Sequence, residues 1–509
     1  MKEHPNIIVI MTDQQRADLC KRRGYSLDTT PFLDSLAARG ADFPVAYTST
    51  PVCGPARVSL FTGRYPSVHG ARTNMNIGDA RYTEDLVDVL RRQGYRIGLS
   101  GKNHSHVGGN RWDWSVSFGH DNSSETSRSD DQKAFDKWIG GLHHMASHEP
   151  TPFPLECQYP HRIVNNAQNW IDESSDAPFF LWMSFPEPHN PFQVPEPYYS
   201  MFPPEDLPAT RADETVLAQK GERWQWLHAQ WERVCDDFPK ERERTRANYH
   251  GMLRLIDDQV RRFVDWLEAT GRMDNTLIVC TSDHGDFVGE YGLIRKGPDL
   301  PEPLARIPFF VVGPGVEPGC HDDAHVSICD LMPTLCTTAG APVPYGAQGR
   351  NLWPLLTGQS GGGAFDSAYA EQGLGGTRFT GAEMEAMNDP DAPPPGCTFD
   401  CLNNMTQSGV LRMVRKGKWK LVADDSGRQQ LYDVVADPAE LQDRIDDPDL
   451  KDTVINMQQE LITWTLRMQD PIPEPKGKYR FKGYQTPDDA GRNLMDGRSH
   501  RPCAGGEGS

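Results

Sequence analysis

The segment Pro5-Asn6-Ile7-Ile8-Val9-Ile10-Met11-Thr12-Asp13-Gln14 sets the reading of the whole chain. Its apolar residues run from Ile7 to Met11 without polar alternation. The spacing predicts a strand over Asn6–Thr12 that is buried on both faces. A strand of that kind belongs to a mostly parallel sheet sandwiched by helices. In such sheets ligands bind beyond the carboxyl ends of the strands, where Asp13 and Gln14 fall.

The pattern repeats beyond this segment. Thr30-Pro31 predicts a helix start, with the hydroxyl as cap, proline in the first turn and Gly40 as the stop. Thr83 is the expected cap of a helix carrying Leu86, Val87 and Leu90, ended by Gly94 and followed by a strand over Arg96–Ser100. A helix over Ile163–Ile171 leads to a strand over Phe179–Phe185. A long helix over Arg246–Ala269 leads to a strand over Thr276–Thr281, and Ile307–Val312 is a further buried run.

Composition shifts after about residue 358. Gly361–Gly363 and Asp389–Pro395 read as loops, Leu411–Arg415 and Trp419–Val422 as strands, and Thr453–Met468 as a helix. The expected organisation is an α/β unit over 1–365 and a smaller unit over 366–470. The second would carry specificity loops, an antiparallel sheet and a helix, with 471–509 as an extended tail.

The 509 residues carry 52 basic and 71 acidic side chains, a net charge of −19. That balance argues against a nucleic-acid partner, but a few local cations can still hold an anionic substrate. No apolar run approaches the ~20 residues that span a bilayer. No basic-then-apolar leader is seen either, so the cytoplasm is the expected compartment. The 11 cysteines are scattered and odd in number, which is no disulfide framework. Cys397 and Cys401 lack a second Cys/His pair at zinc-site spacing.

Polar groups recur just after the predicted strand ends: Asp13 and Gln14, Lys102 and His104, His189, then Asp283 and His284, with Lys296 further on. Two carboxylates, an amide oxygen and an imidazole can hold a divalent cation. Singly, each has a structural explanation as a cap, a turn residue or a satisfied histidine. Their recurrence at one face points to a site.

The second informative segment is Pro51-Val-Cys53-Gly-Pro55-Ala-Arg57-Val-Ser-Leu-Phe-Thr62-Gly63-Arg64. Cys53 is expected just before a short helix ended by Gly63, with Arg57 one turn on. A helix N-terminus favours anions. A buried structural thiol and an activated thiolate are both compatible with this position.

Cys53-x-Pro55-x-Arg57 with Thr62-Gly63-Arg64 resembles the motif of the type I, formylglycine-dependent sulfatases of the alkaline phosphatase-like superfamily. The resemblance extends through Asp13-Gln14, Lys102-x-His104, Pro188-His189, Asp283-His284 and Lys296-Gly297. It continues in Arg306–Phe310, Asp330–Thr334 and the Leu431–Glu440 segment. Gln14 and His284 stand where many sulfatases have an acid and an asparagine. That combination looks more like choline sulfatases and phosphonate monoester hydrolases.

The resemblance implies that a maturation enzyme oxidises Cys53 to formylglycine, whose hydrate attacks the sulfur of a sulfate monoester. It implies one divalent cation held by Asp13, Gln14, Asp283, His284 and residue 53. Calcium is the family's usual metal, although an imidazole ligand suits manganese or zinc better. Lys102 and Lys296 would clamp the sulfuryl oxygens, and Arg57 would orient the nucleophile. His189 would serve the leaving oxygen, and His104 would act as base in releasing sulfate. Asn74 and His106 are candidate substrate contacts. Trp112 and Trp114 are candidates for either a pocket wall or the core. A phosphonate monoester or phosphodiester hydrolase using the same residues is the alternative reading. An alkaline-phosphatase-like enzyme and a catalytically dead binding protein fit the motifs less well. Exposed C-terminal segments often mediate assembly in relatives, so a homo-oligomer is an expectation; a membrane partner is not.

Overall fold

The computed structural model describes residues 4–173, 177–359, 363–376, 378–387 and 407–469. Gly361, Cys397, Cys401, the Asp389–Pro395 loop and the 471–509 tail lie outside the described residues.

Eight strands form the main sheet: β1 (Asn6–Thr12), β2 (Ala41–Asp42), β4 (Arg96–Gly101), β5 (Trp114–Ser117), β6 (Phe179–Ser184), β7 (Thr276–Ser282), β8 (Phe309–Val312) and β9 (Gly319–Cys320). Their order is β5-β4-β6-β1-β7-β8-β2-β9. The first five neighbours run parallel, while β8 pairs antiparallel with both β7 and β2. The expected α/β architecture is present. Every residue of β6 and β7 is buried, which is why their sequences lack polar alternation.

One core face gathers Val9, Leu99, Trp182 and Val279 under the Cys53–Thr62 and Leu86–Arg92 helices. The opposite face gathers Ile8, Leu181 and Ile278 under Tyr159–Asp172 and Phe238–Ala269. The Phe238–Ala269 helix begins eight residues before the expected Arg246, capped by Asp237 with Pro239 in its first turn. The Leu86–Arg92 helix is capped by Asp85, not Thr83. Asp85 and Asp88 form a reciprocal capping box, while the Thr83 hydroxyl donates to the Tyr345 carbonyl 2.9 Å away.

Register places the functional strand ends level. Met11 pairs with Ser184, Gly101 with Ser184, and Thr12 with Ser282. Gly101 sits at φ +119°, and a Cβ there would lie 1.8 Å from the Ser184 carbonyl oxygen. Only glycine lets β4 approach β6 this closely, and the Lys102 N–H then donates to that oxygen at 2.7 Å.

β3 (Val45–Tyr47) pairs with β10 (His325–Ser327) beside the main sheet. A separate antiparallel sheet runs β11 (Ser367–Gly375), β12 (Gly409–Lys416), β13 (Trp419–Asp424) and β14 (Gln429–Asp433). The Lys451–Arg467 helix packs on it, and its Trp464 joins the first core face by stacking on Tyr369. No helix among the described residues is long and apolar enough to cross a membrane.

Candidate active site

The level strand ends deliver acidic groups from β1 and β7 to one point. Asp13 follows β1, its N–H bound to the Glu187 carbonyl at 3.1 Å. Gln14 takes a left-handed conformation, φ 72°, fixed by two bonds. Its N–H donates to Asp283 Oδ1 at 3.0 Å, and its carbonyl accepts from the Tyr249 hydroxyl at 2.7 Å. Beyond β7, the Ser282 hydroxyl lies 3.1 Å from the Thr12 carbonyl and 2.9 Å from that of His284, which ties the two strand ends together.

The Cys53–Thr62 helix brings the thiol. Cys53 is its first residue rather than the one before it. Val52 is the extended cap, and the Gly54 N–H donates to Asn74 Oδ1 at 2.9 Å. Gly63 ends the helix at φ 63°. Cys53 Sγ lies 3.5 Å from Asp13 Oδ1, 3.2 Å from His284 Nε2 and 3.0 Å from Lys296 Nζ.

Arg57, fully buried one turn along, binds the two carboxylates to each other. Its Nε donates to Asp283 Oδ2 at 2.9 Å and its Nη2 to Asp13 Oδ2 at 3.0 Å. Nη1 donates to the Lys102 carbonyl and the Ser184 hydroxyl, both at 2.8 Å. The Lys102 ammonium also pairs with Asp13. Burial disfavours the Asp13 carboxylate, but Lys102 and Arg57 outweigh it and hold its pKa well below the usual range. Burial and then Asp13 push Asp283 up. Burial and Asp13 also oppose a Cys53 thiolate, yet Lys102, Lys296 and His284 together pull the thiol pKa well below normal.

The donor set fits a cation. One donor atom each from Asp13, Cys53, Asp283 and His284 lies within 4.8 Å of all the others, in a fully buried cluster. His284 Nδ1 lies 2.8 Å from the Gly285 carbonyl. Donation there leaves the Nε2 lone pair aimed at the cluster, the arrangement usual for a ligating histidine. Gln14 Oε1 is buried without a partner, because its amide nitrogen is spent on Asp286 Oδ2. A buried carbonyl oxygen left open beside two carboxylates is a ready cation ligand.

Of the other sequence candidates, Lys102 and Lys296 join this cluster directly. His189 stands beside Lys102 through His120: the two imidazoles stack at 3.8 Å and 19°, and His120 Nε2 lies 2.8 Å from Lys102 Nζ. Desolvation and then its neighbours' charges lower both imidazole pKa values, so the two rings are neutral near pH 7. His104, at φ 38°, has its Nδ1 buried without a partner. Asn74 touches the residue after Cys53. His106 instead pairs with Asp85 at 2.9 Å and packs on Tyr82. Trp112 packs on Phe61 and Trp182 in the core, and half-buried Trp114 stacks on Trp170 against the core's edge.

Sequence reasoning misses His120, Asp286 and Ser184. A signal for Asp286 and Ser184 exists, since each is a polar residue at or just past the end of a legible strand. His120 follows β5, a short, partly exposed strand without an apolar run.

Residues 5–341 match the sequence profile of the family described as Sulfatase. An arylsulfatase of Clostridium perfringens is 30% identical over 383 residues, covering 69% of this chain and 78% of that protein. A choline-sulfatase of Rhizobium meliloti is 27% identical over 469 residues, covering 87% and 83%. Among solved structures, the phosphonate monoester hydrolase of Agrobacterium radiobacter superposes with a TM-score of 0.73 at 24% identity, over 92% of this chain and 97% of that one. That likeness concerns the fold.

Proposed function

The chain belongs to the sulfatase family of hydrolases, within the alkaline phosphatase superfamily, and on that footing we propose that it hydrolyses a sulfate monoester with a formylglycine made from Cys53. The supporting observation is the place of Cys53 Sγ: first residue of a buried helix, within 3.0–3.5 Å of Lys296, His284 and Asp13. A structural thiol would sit among apolar atoms.

Asp13, Gln14, Asp283 and His284 would hold one divalent cation. When bound, it supplies Lewis acidity, acidifying the attacking hydroxyl and neutralising ester charge. The family precedent is calcium, and the imidazole donor favours manganese or zinc. Lys102 and Lys296 hold the sulfuryl oxygens and stabilise the charge that builds there. Arg57 keeps Asp13 and Asp283 together and orients the nucleophile from one turn below.

His189 serves the leaving oxygen. Its Nδ1 is engaged by the Asn190 carbonyl at 2.7 Å, so a proton for the leaving group must ride on Nε2. A dianionic transition state beside the ring favours that protonation. His104 is the proposed base for release of sulfate, and its unpartnered nitrogen leaves it free for that step. We place the catalytic unit in residues 1–365 and the specificity loops in 366–470.

The alternative substrate class is a phosphonate monoester or phosphodiester, favoured by Gln14 and His284 in the cation set. The test compares rates on an aryl sulfate and an aryl phosphonate monoester, using protein co-expressed with the maturation enzyme. A sulfate preference that vanishes in Cys53→Ala supports the reading. A phosphonate preference transfers the assignment, and an unchanged Cys53→Ala rate overturns both. Metal analysis of the purified protein identifies the cation.

A further inference from the structure

A shallow recess, partly open to solvent, lies beside the chain segments around Cys53 and Lys296, and its walls include Thr50, Ser67, Arg72, Glu371, Gln372 and Arg412. Three contacts make its walls continuous with those of the nucleophile. The Glu371 N–H donates to the Ser49 carbonyl at 2.9 Å. Gln372 Nε2 donates at 3.1 Å to the carbonyl of Gly297, next to Lys296. Asn74, two residues from Arg72, accepts from the N–H next to Cys53. Thr50 is three residues from Cys53, a stretch of chain that spans at most about 10 Å.

The recess is cationic in a protein of net charge −19. Glu371 and Arg412 face one another across the β11–β12 ladder, so a simple cross-strand ion pair is the first explanation to test. The structure does not form it. The Glu371 oxygens are taken by the Ser67 N–H and, at 2.8 Å, by the Tyr369 hydroxyl. Among the described residues neither Arg72 nor Arg412 has a carboxylate within ion-pair distance, and Arg412 Nε is buried without a hydrogen-bond partner. A buried N–H left unpaired is unfavourable. Two guanidinium forks, opening into one recess, match the planar oxygens of a carboxylate or the oxygens of a sulfate.

We propose that Arg72 and Arg412 bind a second anionic group of the substrate, so that the preferred ester is a sulfate monoester also carrying a carboxylate or a further sulfate. This rests on the sulfatase reading of the Cys53 site. It names the chemical class of substrate, which that site alone does not.

The experiment compares kcat/KM of the matured full-length enzyme on three esters: a monosulfated neutral hexose, the same sulfate on a uronic acid, and a disulfated hexose. The expected result is a preference for one or both dianions. That preference should fall at least about tenfold in Arg412→Gln and Arg72→Gln, the usual scale for one charged hydrogen bond. Arg412→Lys retains the charge without the fork and is expected to lose part of the preference, which also guards against a folding defect in the glutamine variant. Which dianion is favoured separates carboxylate from sulfate recognition. Turnover of the neutral hexose sulfate with no dianion preference, or a preference indifferent to all three substitutions, overturns this inference alone. No turnover of any sulfate ester overturns the sulfatase reading and this inference with it.

Discussion

The Nζ of Lys296 lies 3.0 Å from the Sγ of Cys53, a residue 243 positions earlier in the chain. In the proposed mechanism Cys53 gives the nucleophile from a helix start, and Lys296 sets a fixed charge beside it from the loop after β7. Replacing the ammonium with the apolar side chain in Lys296→Met should lower kcat on an aryl sulfate about 10²–10³-fold, the scale for loss of one transition-state donor. Steady-state kinetics decides. A rise in KM with kcat unchanged would mean that Lys296 acts in ground-state binding only.

Arg57 has a different task. It joins Asp13 and Asp283 through two ion pairs with no solvent exposure. Arg57→Ala leaves two buried carboxylates without their shared partner. Breaking a buried pair of this kind costs about 3–5 kcal/mol. Thermal unfolding of metal-free protein should show the loss, and added divalent cation should restore part of it by binding the folded state. A variant as stable as the parent without metal would refute this account.

Gln14 is explained by a neighbour. Its amide donates to Asp286, whose Oδ1 is already fixed by the Val288 and Arg295 N–H groups at 2.7 and 2.9 Å. Gln14→Glu therefore sets two carboxylates against each other and should destabilise the protein. The double variant Gln14→Glu with Asp286→Asn reverses donor and acceptor and should recover stability. A coupling energy of about 1–3 kcal/mol is expected from the double-mutant cycle. Strict additivity would remove Asp286 from the explanation.

Away from the site, His250 predicts a pH effect. Nδ1 lies 2.6 Å from the Arg246 carbonyl and Nε2 lies 2.7 Å from the Tyr25 hydroxyl, so the buried neutral ring is fully bonded. Burial, with Arg246 and Arg16 nearby, pulls its pKa down to about 4. The unfolded chain takes up this proton near pH 6.5 and the folded one only near 4, so stability is present above about 6.5 and is lost as the pH falls through that window. Denaturant unfolding from pH 7 to 4 should show a shallower decline in His250→Gln than in the parent. Equal slopes would contradict the shifted pKa.

Much of the site is legible because the parallel strands announce themselves. Ile7–Met11 and Leu277–Cys280 lack alternation, so the polar residues that follow them stand out as strand-end groups. The Cys53 motif is legible in the same local way. Contacts fixed only by tertiary packing are not. His120 reaches Lys102 from a strand with no apolar run. The helical turns from Phe238 to Thr245 are hidden for a similar reason: they are rich in Lys, Arg and Glu, and their apolar stripe is too thin to read. At Asp85 two capping chemistries compete in one stretch, and the carboxylate pair prevails over the nearby threonine hydroxyl. β11 escapes notice because most of its residues are small or polar, so it reads as loop until β12 pairs with it.

All ten residues of the helix that begins at Cys53 are buried, and Lys296, Asp283 and His284 close over its first residue. On the proposed reading, a maturation enzyme that must grip the chain around Cys53 would meet a shut door in the finished protein. The door shuts late, because the residues that close it lie 230 to 243 positions downstream. At about 5–20 residues per second of synthesis, the 243-residue interval gives roughly 10–50 s in which Cys53 has been made and Lys296 has not. On the proposed formylglycine reading, the order of residues along the chain would act as a clock for the modification, and a faster ribosome or a slower maturation enzyme would each lower the fraction of chains that mature.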